Sequence, residues 1–180
     1  MSRKPILPIW EEVSFEEEGL DARALVTRTD KTGKITFASK AYREMTKFSK
    51  QELIGRSHNV VRHPFMPKAA FADMWSTIKS GKHWSGIVMN LRKDGRFYWV
   101  EVRIDAINEE GNIISSLASI GENVKKEYNK DEVAGYVAIR REPSRNEIRE
   151  IKEYYKHLKK EELKKKFYLK DWEKELLKVL

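Results

Sequence analysis

No cysteine occurs among the 180 residues, and that one absence closes several chemistries. It excludes disulfides, zinc-thiolate sites, a cysteine nucleophile and any light sensing that works through a cysteinyl adduct of a bound chromophore. Nor is there a run approaching the roughly 18 apolar residues that a spanning helix needs. The N-terminal stretch Met1-Ser2-Arg3-Lys4-Pro5-Ile6-Leu7-Pro8 lacks the long apolar segment of a secretory signal, so cytoplasmic residence without membrane insertion is the expectation. Also missing are a Gly-rich phosphate loop, a Ser-His-Asp elbow and a metal-spaced cluster. Asp94 and Asp105 have no catalytic partner in the sequence and read as turn and surface carboxylates, which points to a protein that is not an enzyme.

A formal charge of +8 suits nucleic acid or an anionic membrane surface in principle. Here the positive charge is interleaved with acids. The densest run, Lys164-Lys165-Lys166, falls in a helical tail and reads as a solvated face. No nucleic-acid motif accompanies it, so no nucleic-acid partner is expected.

What is present is enough apolar material, 40% of residues with 11% aromatic, for one core plus an extension. The boundaries predicted are an N-terminal cap over 1–22, a domain over 23–142 and a helical extension over 143–180. From Arg23 to Ala38 two β-rich runs flank Asp30-Lys31-Thr32-Gly33, a hairpin signal. Ser39 caps a short helix through Met45, and Ser49 with Glu52 makes a capping-box pattern. Pro67 suits a first helical turn, and Ala70, Phe71, Met74, Trp75 and Ile78 recur at helical spacing until Gly81. Trp84–Leu91 and Phe97–Ile107 read as antiparallel strands about a Lys93-Asp94-Gly95 turn. Asn112–Ile120 and Val133–Arg140 read as further strands separated by a loop over 121–132. After Pro143, Ile148, Ile151, Tyr155 and Leu158 form a stripe on a helix capped by Ser144, which either packs on the core or docks a second subunit. The pattern is α+β, an antiparallel sheet of about five strands with short helices on one face, plus terminal helices.

Two blocks carry a family resemblance. The first runs from Gly55 to Trp75 and includes Ser57-His58-Asn59-Val60-Val61-Arg62-His63-Pro64-Phe65-Met66-Pro67. The second runs from Gly81 to Gly95, with Trp84-Ser85-Gly86-Ile87-Val88-Met89-Asn90, followed by Tyr98-Trp99-Val100. In order and spacing they closely resemble the flavin-binding PAS domain of bacterial aerotaxis receptors. The resemblance covers roughly Leu25 to Ile148. It implies a PAS fold, FAD held without a covalent bond, and reporting of redox or oxygen status to a methyl-accepting chemotaxis-type transducer or another HAMP-containing partner, with a homodimer possible. If the sequence is full length, the resemblance is to the stand-alone PAS proteins of split energy-taxis systems, which work beside a separate membrane transducer; a fragment of a longer protein is the alternative.

A flavin needs an apolar slot for its ring and positive charge for its pyrophosphate. The resemblance puts Trp84 against the cofactor, and Arg62 with His63 at a phosphate or the ring's polar edge. Asn59 and Asn90 are candidates for hydrogen bonds to the pyrimidine side, and His58 belongs to the same block. One departure stands out: the family usually has aspartate where this chain has Phe65. Phe65 either replaces a polar contact by stacking or marks a pocket for FMN, another ligand or none. Haem is the rival cofactor, with His58, His63 or His83 as axial ligand. A ligand-free interaction module is the third reading. A second departure is extra length over 109–132.

Overall fold

A computed structural model describes residues 6–115 and 128–180. The first hairpin joins β1 (Leu25–Asp30) to β2 (Ile35–Ala38). Its turn closes because Gly33 adopts φ of 89°, and because Asp30 Oδ1 accepts from the Thr32 hydroxyl and the backbone N–H groups of Thr32 and Lys34.

Ser39 then caps α1 (Lys40–Thr46), which stops at Lys47 in the left-handed region. Ser49 and Glu52 complete the expected capping box of α2 (Lys50–Leu53). A 3-10 turn over His58–Val61 leads to α3 (Lys68–Lys79). Pro67 sits at the N-cap of α3, one residue ahead of the first-turn place predicted for it. Gly81, at φ of 92°, ends the segment, as its lack of a Cβ allows.

The second hairpin pairs β3 (Trp84–Leu91) with β4 (Phe97–Ile107) in continuous register from Trp84 opposite Ile104 to Leu91 opposite Phe97. β5 (Gly135–Arg141) follows, then α4 (Arg145–Lys164) and α5 (Asp171–Val179). The five strands are all antiparallel in the order β2-β1-β5-β4-β3. The last strand in sequence is thus the central one, and it joins the two hairpins.

The expected strand over 112–120 is described only at its start. A turn closed between Asn108 and Asn112 folds the chain back on the end of β4, where Ile113 makes an antiparallel bridge to Ile107 and Ile114 N–H donates to the Ala106 carbonyl. Residues 116–120, and residues 121–127 of the predicted loop, lie outside those described. Lys130–Glu132 forms a short 3-10 turn.

Residues 9–13 run beside the start of β4, where Ile9 N–H donates to Gly95, Val13 N–H to Phe97, and Phe97 N–H to Glu11. Val13, Phe15 and Leu20 are buried in the main core. The stripe on α4 is also spent inside the molecule: Ile148 and Tyr155 are buried, with Ile151 and Leu158 packed against the same core. Two bonds fix this helix. The Tyr155 hydroxyl donates to the Ile87 carbonyl at 2.6 Å, and Glu162 Oε2 accepts from Lys68 N–H at the start of α3 at 2.8 Å.

Removing the first of these leaves the edge carbonyl of β3 buried without a partner. Tyr155→Phe is therefore expected to lower unfolding stability by about 1 kcal/mol, read as a shift of the urea midpoint with unchanged slope.

Candidate functional site

Between sheet and helices lies a cavity of about 380 Å³, within the range of small-molecule sites. Strand alternation builds one wall. Trp84, Val88 and Asn90 of β3, Val102 and Ile104 of β4, Tyr136, Ala138 and Arg140 of β5 and Thr29 of β1 all line it. Helical spacing builds the other, with Phe71, Met74, Trp75 and Ile78 from successive turns of α3. The 3-10 turn supplies Ser57, His58, Asn59, Val61 and Arg62, and the first hairpin contributes Thr32 and Gly33.

Trp84 is buried, and its indole N–H donates to Asp73 Oδ2 of α3 at 2.9 Å. The ring lies back over Gly86, where a Cβ would collide with it. This gives the Trp-Ser-Gly run a physical reason, because any side chain two residues along the same strand face displaces the indole. Arg62 is half-buried, and its guanidinium carbon stands 4.7 Å from the centre of the Phe71 ring, within cation-π range. Its backbone bridges to Asn90, which joins the 3-10 turn to β3. Asn59 is exposed at the cavity, its N–H held by Ser57 Oγ.

A polar group gathers where β1, β5, α1 and the 3-10 turn meet. His58 Nε2 is 3.3 Å from Thr27 Oγ1, and Nδ1 is 3.5 Å from the Tyr42 hydroxyl. Arg140 Nη1 donates to Thr27 Oγ1 at 3.0 Å, and its guanidinium carbon lies 4.9 Å from the centre of the Tyr42 ring. Burial, and then the neighbouring Arg140 charge, push the His58 pKa down to about 3, so its imidazole is neutral at ordinary pH. Burial raises the phenol of Tyr42. Thr29 Oγ1 is buried without a hydrogen-bond partner among the described residues.

The site residues predicted from sequence thus divide. His58, Asn59, Arg62, Trp84 and Asn90 meet at the cavity. His63 and Phe65 are corrected: neither is among its lining residues. Past Arg62 the chain turns into the core, where His63 is fully buried beside Trp10 and Phe97, at centroid separations of 5.2 and 6.0 Å. His63 Nδ1 accepts from Phe65 N–H at 3.0 Å. Phe65 packs edge-on to Trp10, so it neither stacks in the cavity nor removes a contact from it. His83 is likewise absent from the lining. Sequence reasoning missed Asp73, Thr29, Tyr42 and Arg140. For Arg140 the signal was its place in the Tyr136, Ala138, Arg140 alternation of a strand.

Comparison with known proteins follows the same lines. A family model described as the PAS fold matches residues 35–120. A solved PAS domain from Colwellia psychrerythraea has a TM-score of 0.51 at 22% identity, over 71% of this chain and 93% of that one. The chain has the PAS fold. A light-oxygen-voltage domain from a study of a flavin analogue gives a TM-score of 0.52 at 20% identity, over 85% and 97% of the two chains. In sequence, the chain is 39% identical over 138 residues to the aerotaxis receptor of Escherichia coli (strain K12), covering 77% of this chain and 23% of that protein. The match to a nitrogen fixation regulatory protein of Klebsiella pneumoniae is 26% over 98 residues, 54% of this chain and 20% of that one. The chain therefore spans about a quarter or less of the length of these curated relatives.

The buried histidines give the folded chain an acid limb. Burial holds His63 down to about 4 in the folded chain, against about 6.5 unfolded. Between those values the unfolded chain binds a proton that the folded chain does not. Stability is therefore full above about pH 7 and falls on acidification, by up to about 1.4 kcal/mol per pH unit for each such histidine. His58, held still lower, acts with the same sign. Urea unfolding at a series of pH values is expected to show this limb, and His63→Asn, whose amide oxygen can still accept from Phe65 N–H, to make it shallower.

Proposed function

We propose that this PAS domain is a cytoplasmic redox or oxygen sensor that holds a flavin without a covalent bond and passes its state to a chemotaxis-type transducer. The observation that carries the reading is the wall made by Trp84. Its indole is laid over Gly86 and tied to Asp73, beside a cavity with apolar α3 residues opposite and polar groups at one end. A flat ring with one polar edge matches that division.

The chain's own residues then have distinct parts. Trp84 and the α3 residues exclude water from the ring, Asn90 offers its amide to the polar edge, and Arg62, propped on Phe71, supplies positive charge for a phosphate. The partnerless Thr29 Oγ1 is a further group that a ligand can satisfy. A bound flavin supplies one- or two-electron redox chemistry, and in this reading the protein senses it without turnover. FAD is the form implied by the likeness to the aerotaxis receptor, and a cavity of about 380 Å³ suits its ring while the adenine half stays outside. FMN is the alternative. The absence of cysteine keeps the likeness to a light-oxygen-voltage domain from extending to adduct-based light sensing.

A signal leaving the cavity reaches a partner through the sheet or its flanking helices, as a shift between two packings that needs only a few kcal/mol of differential binding. The partner class proposed is a methyl-accepting or HAMP-containing transducer, with self-association as a second possibility.

The test is to purify the protein, record its absorbance and identify by chromatography what denaturation releases. A two-banded flavin spectrum is the expected result. A single intense Soret band replaces the reading with haem, for which His58 is the histidine at the cavity. Protein that stays colourless after incubation with FAD, FMN or haemin leaves a ligand-free interaction module. Trp84→Ala and Arg62→Ala are each expected to weaken retention by about tenfold or more, about 1.4 kcal/mol. Gly86→Val, which takes the space under the indole, should behave like Trp84→Ala. Full occupancy in all three variants overturns the assignment.

A further inference from the structure

Three cations are buried among the described residues, and two of them are compensated. Arg92 meets Glu18 and Asp94, both at 2.7 Å, and Lys159 meets Glu162 at 3.0 Å. Arg140 is the exception. It is 5% exposed and has no carboxylate partner among the described residues. Its Nη1 donates to Thr27 Oγ1 and, at 3.4 Å, to the Ala138 carbonyl. Nε and Nη2 make no hydrogen bond among the described residues. The side chain belongs to the cavity lining.

A buried charge without its counter-charge is among the costliest arrangements a fold can keep. A further buried donor on this side of the sheet, the Thr29 hydroxyl, has no partner among the described residues. No anion among the described residues answers Arg140. The titratable groups facing it are Tyr42 from α1, His58 from the 3-10 turn and Tyr98 from β4; the remaining charge in the lining is Arg62. None of these supplies a negative charge near neutral pH.

We propose that Arg140 is the counter-charge for a negatively charged edge of the cavity's ligand, so that this PAS domain binds the reduced, anionic form of a flavin more tightly than the oxidised form. The inference rests on the flavin reading above. Two-electron reduction with uptake of one proton puts that proton on N5 and leaves one negative charge shared by N1 and the C2 carbonyl oxygen. The electrons come from the inorganic reductant of a titration. A fixed positive charge beside such an edge is one of the few ways a protein tunes a flavin.

The experiment is an anaerobic dithionite titration, with a reference dye, of wild-type protein, Arg140→Gln and Arg140→Lys, each reconstituted with FAD and separately with FMN. Arg140→Gln keeps donors but loses charge. It is expected to hold the oxidised cofactor nearly as well as wild type and to lose about tenfold in preference for the reduced form, a midpoint lowered by about 30 mV for a two-electron couple. Arg140→Lys should retain most of the wild-type midpoint. Wild type gives an independent reading: one proton per two electrons gives a slope of about 30 mV per pH unit and two give about 59. The pH at which the slope steepens should lie below that of free cofactor in the same cell.

An unshifted midpoint in folded, flavin-loaded Arg140→Gln overturns this inference and leaves the flavin reading standing. So does a wild-type break at or above the pH of the free cofactor, a measurement that holds even if the glutamine variant fails to fold. A wild-type protein that takes up neither FAD nor FMN overturns both.

Discussion

The guanidinium of Arg140 is the group around which the cavity has to be understood, because it is a full charge on the inner face of the central strand. β5 lies between β1 and β4, so a side chain pointing inward from it faces the cavity and the helices rather than open solvent. Elsewhere the chain handles the same problem with carboxylates, as at Arg92. Around Arg140 it places only neutral acceptors and a π face: Thr27, the Ala138 carbonyl and the ring of Tyr42. Its charge in turn helps keep His58 neutral. Opposite this polar end the cavity is walled by Phe71, Met74, Trp75 and Ile78. The division into an apolar slab and a cationic end follows from two periodicities, two along the strands and about 3.6 along α3.

Much of the fold was legible because local signals govern it. The Asp30 to Gly33 turn, the Ser39 cap and the Ser49–Glu52 box each act within four residues and each forms as read. Strand order is not local. Nothing in β5 itself says that it inserts between β1 and β4. At the cavity, the family resemblance had named Trp84, Arg62 and Asn90, which all line it, and periodicity had already drawn the face of α3. His63 and Phe65 were misplaced for a tertiary reason. Trp10, more than fifty positions earlier, packs on both rings and fixes them in the core. Arg140 went unseen because an arginine near the end of a strand ordinarily points to solvent, and only the sheet order buries it.

The Phe65 substitution also changes meaning once placed. As a cavity residue it would trade a carboxylate for an aromatic at the ligand. As a core residue it completes a cluster with Trp10, His63 and Phe97, where a carboxylate would sit unpaired beside a histidine held neutral by burial. The N-terminal segment supplies Trp10, so the packing of residues 9–13 along β4 and the apolar choice at position 65 are one adaptation.

The same geometry sets where a change in the cavity is felt. Trp84 is tied to α3 through Asp73, and α3 at its first residue is tied to α4 through Lys68 N–H and Glu162. Three residues along β3 from Trp84, the Ile87 carbonyl holds α4 again through Tyr155. Both connections end on α4, one through a helix and one through a strand, and they meet it on residues seven apart, two turns along a single face. A displacement of the indole has to be absorbed at one of these bonds or carried into the helix. Tight packing resists gradual deformation, so α4 is the element most directly placed to register the state of the cavity at the protein surface.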